Sequence, residues 1–205
     1  MHPGRLRLRL VGVGAMDSPR YAPAGLLVLG PSGAVLLDGG PESLVDLPPG
    51  ELRAWLVTDL RAELIAGIRR AAKELGLRPE VSEYVDGDLA VTPRPVVHTS
   101  HPTFGYVLRR VDRTAVWAPE FWEFPTWVAG ADLMFADAAG WDRPIRFRGG
   151  MGGHAAVVDT ALNAREAGVR RLVLAHIGRP TIRALDSGAT PPFGEVGEEG
   201  ADYLL

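Results

Sequence analysis

The chain contains five histidines: His2, His98, His101, His154 and His176. His2 is terminal and is set aside. The other four stand where an apolar run ends or a helical pattern begins. His98 follows Pro95-Val96-Val97, and His176 follows Leu172-Val173-Leu174-Ala175. His154 closes a glycine-rich turn that starts at Gly149, just ahead of a helical pattern. Strand ends that open into loops are where α/β proteins place ligands. Imidazole is both a common metal ligand and the side chain whose proton moves most easily near neutral pH. Taken singly, each histidine reads as a hydrogen-bonded structural residue. Taken together, beside glycine-rich turns, they read as a site. The carboxylates Asp38, Asp59, Glu63, Glu120 and Asp137 also lie at or near the ends of apolar runs. Asp59 has an alternative use as the cap of a helix that starts near Ala62. This inventory suits metal-ion binding, proton transfer, or both.

The elements that must position these groups follow from periodicity. Residues 5–13 alternate Arg5, Arg7 and Arg9 with Leu6, Leu8 and Leu10, the pattern of an edge strand with one wet face. Residues 25–29 and 34–38 are strands around the turn Gly30-Pro31-Ser32-Gly33. Residues 52–58 form a further buried strand. Residues 62–75 switch to helical spacing, with Gly76 at the position of a C-terminal cap. Strands follow over 81–84, 89–93 and 96–98. A hairpin spans 106–111 and 114–118 and turns at Asp112-Arg113. A short strand at 133–136, an amphipathic helix at 157–167 ended by Gly168, and a buried strand at 172–175 complete the pattern. Residues 187–205 are expected to be a loose tail, because 187–200 is rich in Gly, Pro and Glu. Two halves that each run strand, polar loop and helix suit two sheets packed face to face with helices outside.

Composition limits the function classes. At 205 residues the chain has the size of one domain with a real core. A net charge of -3 with no basic stripe argues against nucleic acid as a partner. The absence of cysteine excludes disulfides, thiolate metal sites and thiol nucleophiles. The N-terminal residues lack the apolar core of a signal peptide, and no run of about 18 apolar residues occurs. The expectation is a cytoplasmic protein with no membrane partner. The aromatic segment 121–127, with Trp122, Phe124 and Trp127, reads as core packing or a homodimer contact.

The order of these pieces resembles the metallo-β-lactamase superfamily. That family's most specific motif is Thr-His-x-His-x-Asp-His-x-x-Gly at a strand–helix junction. The matching stretch is Thr58-Asp59-Leu60-Arg61-Ala62-Glu63-Leu64-Ile65-Ala66-Gly67. The frame Thr58, Ile65 and Gly67 survives, while Asp59, Arg61, Glu63 and Leu64 replace the ligands. The segment Leu36-Leu37-Asp38-Gly39-Gly40 resembles the family's early strand. His98-Thr99-Ser100-His101-Pro102 resembles the second histidine segment of its phosphodiesterase branch, which includes the tRNA 3′-processing endonucleases. Trp117-Ala118-Pro119-Glu120 resembles the hairpin strand that delivers a bridging aspartate, with glutamate in its place. Residues 131–137 resemble the strand that follows it. Gly153-His154 resembles the branch's Gly-His pair, and residues 172–178 resemble the last ligand strand.

The resemblance implies an α/β fold, the four-layer αββα sandwich, over one domain. It implies at most one divalent ion (Zn, Mn or Fe), held by Asp59, His98, Glu120 and His176. His98 is preferred over His101 because it ends its strand directly. Glu63 or Asp59 would accept a proton, and His154 would protonate a leaving group. Arg61 and His101 would contact substrate. The implied activity is hydrolysis of a phosphodiester or another small anionic ester. The alternative is a metal-free, inactive member that binds a small anionic ligand or a protein partner, with Arg61 paired to Glu63 or Glu120 in place of the metal charge.

Overall fold

The computed structural model describes residues 6–44, 50–148 and 152–205. His2, Arg5 and the first part of the glycine-rich turn, Gly149, Gly150 and Met151, lie outside the described residues. The first half of the chain builds β1 (Arg7–Gly12), β2 (Gly25–Leu29), β3 (Ala34–Asp38), β4 (Leu52–Leu56) and helix α1 (Ile65–Glu74). Then come β5 (Tyr84–Asp86), β6 (Leu89–Val96), β7 (Thr103–Arg110), β8 (Arg113–Ala118) and β9 (Leu133–Ala138). The short β10 (Ile145–Arg146) and β11 (Gly153–His154) pair with each other. Helix α2 (Val157–Glu166), β12 (Leu172–Ile177), helix α3 (Arg179–Asp186), β13 (Glu195–Val196) and β14 (Asp202–Leu204) finish the chain. One sheet has the order β14-β1-β2-β3-β4, and the other β13-β12-β9-β8-β7-β6-β5.

The alternation in β1 puts Leu8 and Leu10 into the space between the sheets, where they join Leu26, Val28, Val35 and Leu37. Trp117, Leu108, Leu89 and Tyr106 meet them from the other sheet. On the outer face of the first sheet, Leu27, Leu36 and Trp55 pack against Ile65, Ile68 and Ala72 of α1. Helix α2 covers β9 and β12 on the opposite side. The result is the expected αββα sandwich. Strands β9 and β12 are parallel neighbours and are buried at every residue. That is why their sequences are unbroken apolar runs and not alternating ones.

Three features of the chain differ from the pattern read in the sequence. A single strand β6 replaces two short ones and runs through Pro93 and Pro95. Beyond Val91 it has only β7 beside it, because β5 ends its pairing there. An open edge tolerates a residue with no N–H to donate. Next, β1 is not an edge strand, since β14 pairs outside it. Asp202 of β14 accepts hydrogen bonds from Arg7 (2.5 Å) and Arg9 (2.9 Å). Finally, the expected loose tail is built into both sheets: β13 adds to β12, and β14 adds to β1. Its Gly, Pro and Glu content marks turns between docked strands.

Tyr203 shows what docks the tail. Its ring is 4% exposed and stands edge-on to Phe135 at 5.1 Å. Truncating a buried aromatic costs about 3–5 kcal/mol. Tyr203→Ala is therefore expected to lower the denaturant midpoint by that equivalent. A loose tail would leave the midpoint unchanged. No helix among the described residues is long and apolar enough to cross a membrane.

Candidate functional site

Backbone devices at the strand ends aim the site residues at one place. Strand β3 ends at Asp38, which has φ 52, followed by Gly39 at φ 79. Asp38 Oδ1 accepts from the Thr58 amide (2.7 Å) and the Thr58 hydroxyl (3.0 Å). Its Oδ2 accepts from Trp117 Nε1 of the facing sheet at 2.7 Å. This carboxylate thus clamps β3, the end of β4 and β8. Burial lifts it to about 7, against the pull of those donors. The Thr58 carbonyl accepts from the Phe104 amide at 2.9 Å, a second tie across the sheets. The loop carrying Asp59 leaves this clamp.

Strand β12 carries a bulge. Its pairing to β9 shifts between Ala175 and Ile177, and the extra residue, His176, has φ 60. Bulges re-aim side chains at the rims of sheets. Here the bulge turns His176 inward, where a regular strand would alternate it away.

The turn before α2 requires glycine twice. Gly152 has φ 84, and a Cβ there would lie 1.9 Å from the His98 carbonyl oxygen. Gly153 has φ 148, and a Cβ there would meet the Ile145 carbonyl oxygen at 1.9 Å. The close approach lets the Gly153 amide donate to the His98 carbonyl (2.8 Å). In return His98 Nδ1 donates to the Gly153 carbonyl at 2.8 Å. The carbonyl can only accept, so Nδ1 carries the proton and Nε2 faces the site.

Glu120 stands between two imidazoles. Its Oε2 is 3.4 Å from His98 Nε2, and its Oε1 is 3.3 Å from His176 Nε2. His154 lies against both rings. It stacks on His176 at 5.2 Å with planes 22° apart and meets His98 edge-on at 4.7 Å. His154 Nδ1 donates to Asp137 Oδ2 at 2.8 Å. Asp137 is fully buried and also accepts from the amides of Phe121 (3.0 Å) and Ala139 (2.9 Å).

Charge follows this geometry. Burial opposes protonation of His154, but the Asp137 carboxylate beneath it outweighs burial and raises it to about 9. His176 moves the other way, to about 4, through burial and then the neighbouring His154 charge. Burial also raises Glu120, with Asp137 and Asp59 adding to the effect. Near neutral pH the stack therefore holds one imidazolium and one neutral imidazole. A split of this kind marks acid and base assignments.

All the residues expected from the sequence line one cavity of about 400 Å³: Asp59, Arg61, Glu63, His98, His101, Glu120, His154 and His176. Within it the side chains pair off locally. Asp59 is committed elsewhere. Its Oδ1 accepts from the Arg61 amide (2.7 Å), and its Oδ2 accepts from His101 Nε2 (2.8 Å). The preferred histidine, His98, faces Glu120, and His101 faces Asp59. Glu120 divides its two oxygens between His98 and His176. Leu64 has no donor and lines a small cavity beneath the site. Among the described residues no group of three or more His, Asp or Glu side chains is arranged to hold a metal ion. With Asp59 turned to His101, the four donors Asp59, His98, Glu120 and His176 do not converge as one group; Glu120, His98 and His176 adjoin one another. Arg61 and Glu63 are exposed at the mouth. Arg61 forms no ion pair with Glu63 or Glu120 among the described residues.

Two functional candidates escaped the sequence reading. Asp137 was placed only as a carboxylate at a strand end, and its partner His154 lies 17 positions away. Arg179 lines the cavity from the start of α3. The signal for that helix was present, since Pro180 occupies one of its first two positions and proline favours a helix start. Segment 121–127, by contrast, is core and rim: Phe121 is fully buried, and Trp127 Nε1 donates to the Pro95 carbonyl at 3.0 Å.

Two facing sheets with outer helices, and a histidine–carboxylate cluster at the strand ends, define a protein of the αββα class. The chain belongs to the beta-lactamase superfamily domain family, whose model matches residues 50–177. No curated protein matches the sequence. Among solved structures it is similar to the metallo-beta-lactamase fold protein YhfI from Bacillus subtilis. The two are 14% identical with a TM-score of 0.76, over 98% of this chain and 100% of that one. It is also similar to a diphosphatase from the PhnP family, at 15% identity and a TM-score of 0.75, over 98% and 97% of the two chains. A third is Zn(2+)-bound PqqB from Methylobacterium extorquens, at 12% identity and a TM-score of 0.71, over 97% and 100%. At these identities the likeness concerns the fold.

Proposed function

We propose that this protein is a hydrolase of small anionic esters, of the phosphodiester class, in which its own side chains move the protons. The observation that carries the reading is the His154–Asp137 pair, stacked on a neutral His176 beside Glu120 in one cavity. His154 holds its proton near neutral pH and presents its free Nε2 side to the cavity, the position of a general acid for a leaving group. Glu120, with its raised pKa, is the stronger base when ionised and is placed to take a proton from water. This role passes to Glu120 from Glu63, which is exposed, and from Asp59, which is engaged by His101. Arg61 and Arg179 flank the opening and draw an anionic group to it. No step is routed through a metal ion.

The test is hydrolysis of bis(p-nitrophenyl) phosphate by protein dialysed against a chelator, followed across pH. The acid form of His154 is required, so the rate is expected to hold through neutral pH and fall as pH rises through about 9. An acidic limb is expected where Glu120 becomes protonated. Turnover only after adding Zn, Mn or Fe would overturn the metal-independent route.

A second reading rests on a separate observation, the commitment of Asp59 to His101 and the Arg61 amide. In that reading the chain binds a small anion without turning it over. Phosphate binding without hydrolysis under any condition would establish it.

A further inference from the structure

A second cavity of about 340 Å³ adjoins the first. Asp59, Arg61 and His101 line both, so the two share a wall. Beyond that wall the second cavity is apolar: Leu60, Val81, Pro102 and Phe104. Leu60 is 41% exposed, the exposure of a large aliphatic side chain left uncovered at the mouth of a polar site. The polar groups at the boundary do not make this cleft hydrophilic. Asp59 and His101 satisfy each other at 2.8 Å. Arg61 is exposed and has no ion-pair partner among the described residues. The arrangement is a cation at a junction, with a proton-transfer cluster on one side and an apolar slot on the other.

Resting on the anionic-ester reading above, we infer that the slot is a specificity subsite: the substrate is an anionic ester that carries an aromatic or branched alkyl group. The anionic centre lies in the histidine cavity at Arg61, and the apolar group lies over Leu60 and Phe104. An apolar pocket discriminates by roughly 10- to 200-fold for each methylene gained or lost.

The experiment compares binding of methylphosphonate and phenylphosphonate by calorimetry, neither of which can be hydrolysed. Two-dimensional NMR of the Leu60 and Val81 methyl groups accompanies it. Phenylphosphonate is expected to bind about 10-fold tighter or more, to shift both methyl signals, and to lose that advantage in Leu60→Ser and Phe104→Ser. Folding of both variants is checked by their thermal midpoints, and Val81→Ser serves if either is unstable. Equal affinity for the two phosphonates overturns the subsite and leaves the anionic-ester reading standing. If neither phosphonate binds but neutral benzyl alcohol shifts the same methyl signals, the anion site fails and the apolar slot stands alone. No response to any of the three overturns both.

Discussion

Replacing His154 with alanine is expected to lower phosphodiester turnover by about 100- to 10,000-fold, the range attributed to one well-placed general acid. The fold should survive, because the His154 side chain is partly exposed at the rim of the cavity. The sharper form of the prediction uses its partner. Asp137→Asn removes the charge that keeps the imidazolium stable against burial, while an amide can still accept from His154 Nδ1. With the Asp137 charge gone, burial opposes the imidazolium and only Glu120 and Glu63 still favour it, so His154 should lose its proton at lower pH. The alkaline limb of the rate profile is then expected to move down from about 9. Measuring kcat against pH for wild type and Asp137→Asn checks this. An unmoved limb, with a uniformly lower rate, would mean that Asp137 acts only as scaffold and that another group supplies the proton.

The largest stability effect is expected at Asp38→Ala. The substitution strips the acceptor from the Thr58 amide, the Thr58 hydroxyl and Trp117 Nε1 at the junction of the two sheets. Thr58 is 3% exposed and Trp117 fully buried. A buried donor without a partner costs about 1–3 kcal/mol, so the loss should reach about 3 kcal/mol or more. The effect depends on pH with a definite sign. The folded state holds Asp38 at about 7, above its unfolded value. Stability from this proton is fully present below the unfolded pKa and is lost as pH rises through about 7. The gap between wild type and Asp38→Ala is therefore expected to be wider at pH 5 than at pH 8. Denaturant titrations at the two pH values measure it. A gap that widened with pH would show that the ionised form is the one the clamp prefers.

Much of this protein was legible from residue order alone, for reasons local to the chain. Leu8 and Leu10 alternating with Arg7 and Arg9 dictate a strand with one buried face. Leu172 to Ala175, apolar without alternation, dictate a strand buried on both faces. The helical spacing of Ile65, Ile68 and Ala72 marks a face that must pack against a sheet. The clustering of His98, His154, His176 and Glu120 at strand ends was readable because each stands where a periodic run stops. The tertiary structure decided what these residues do to one another. Periodicity is a property of neighbours along the chain, but the orientation of a side chain at a strand end depends on φ, bulges and the opposing loop. His176 faces the cavity because an extra residue shifts the register of β12. His98 presents Nε2 because the Gly153 carbonyl approaches closely enough to accept a hydrogen bond from Nδ1. Asp59 turns to His101, and not to a shared centre, because the loop that follows Asp38 and Thr58 brings those two side chains together across the sheets. Arg61 and Leu64 were legible in the sequence as departures from the family motif, but only packing could show that Asp137 and His154 pair at 2.8 Å beside the cluster.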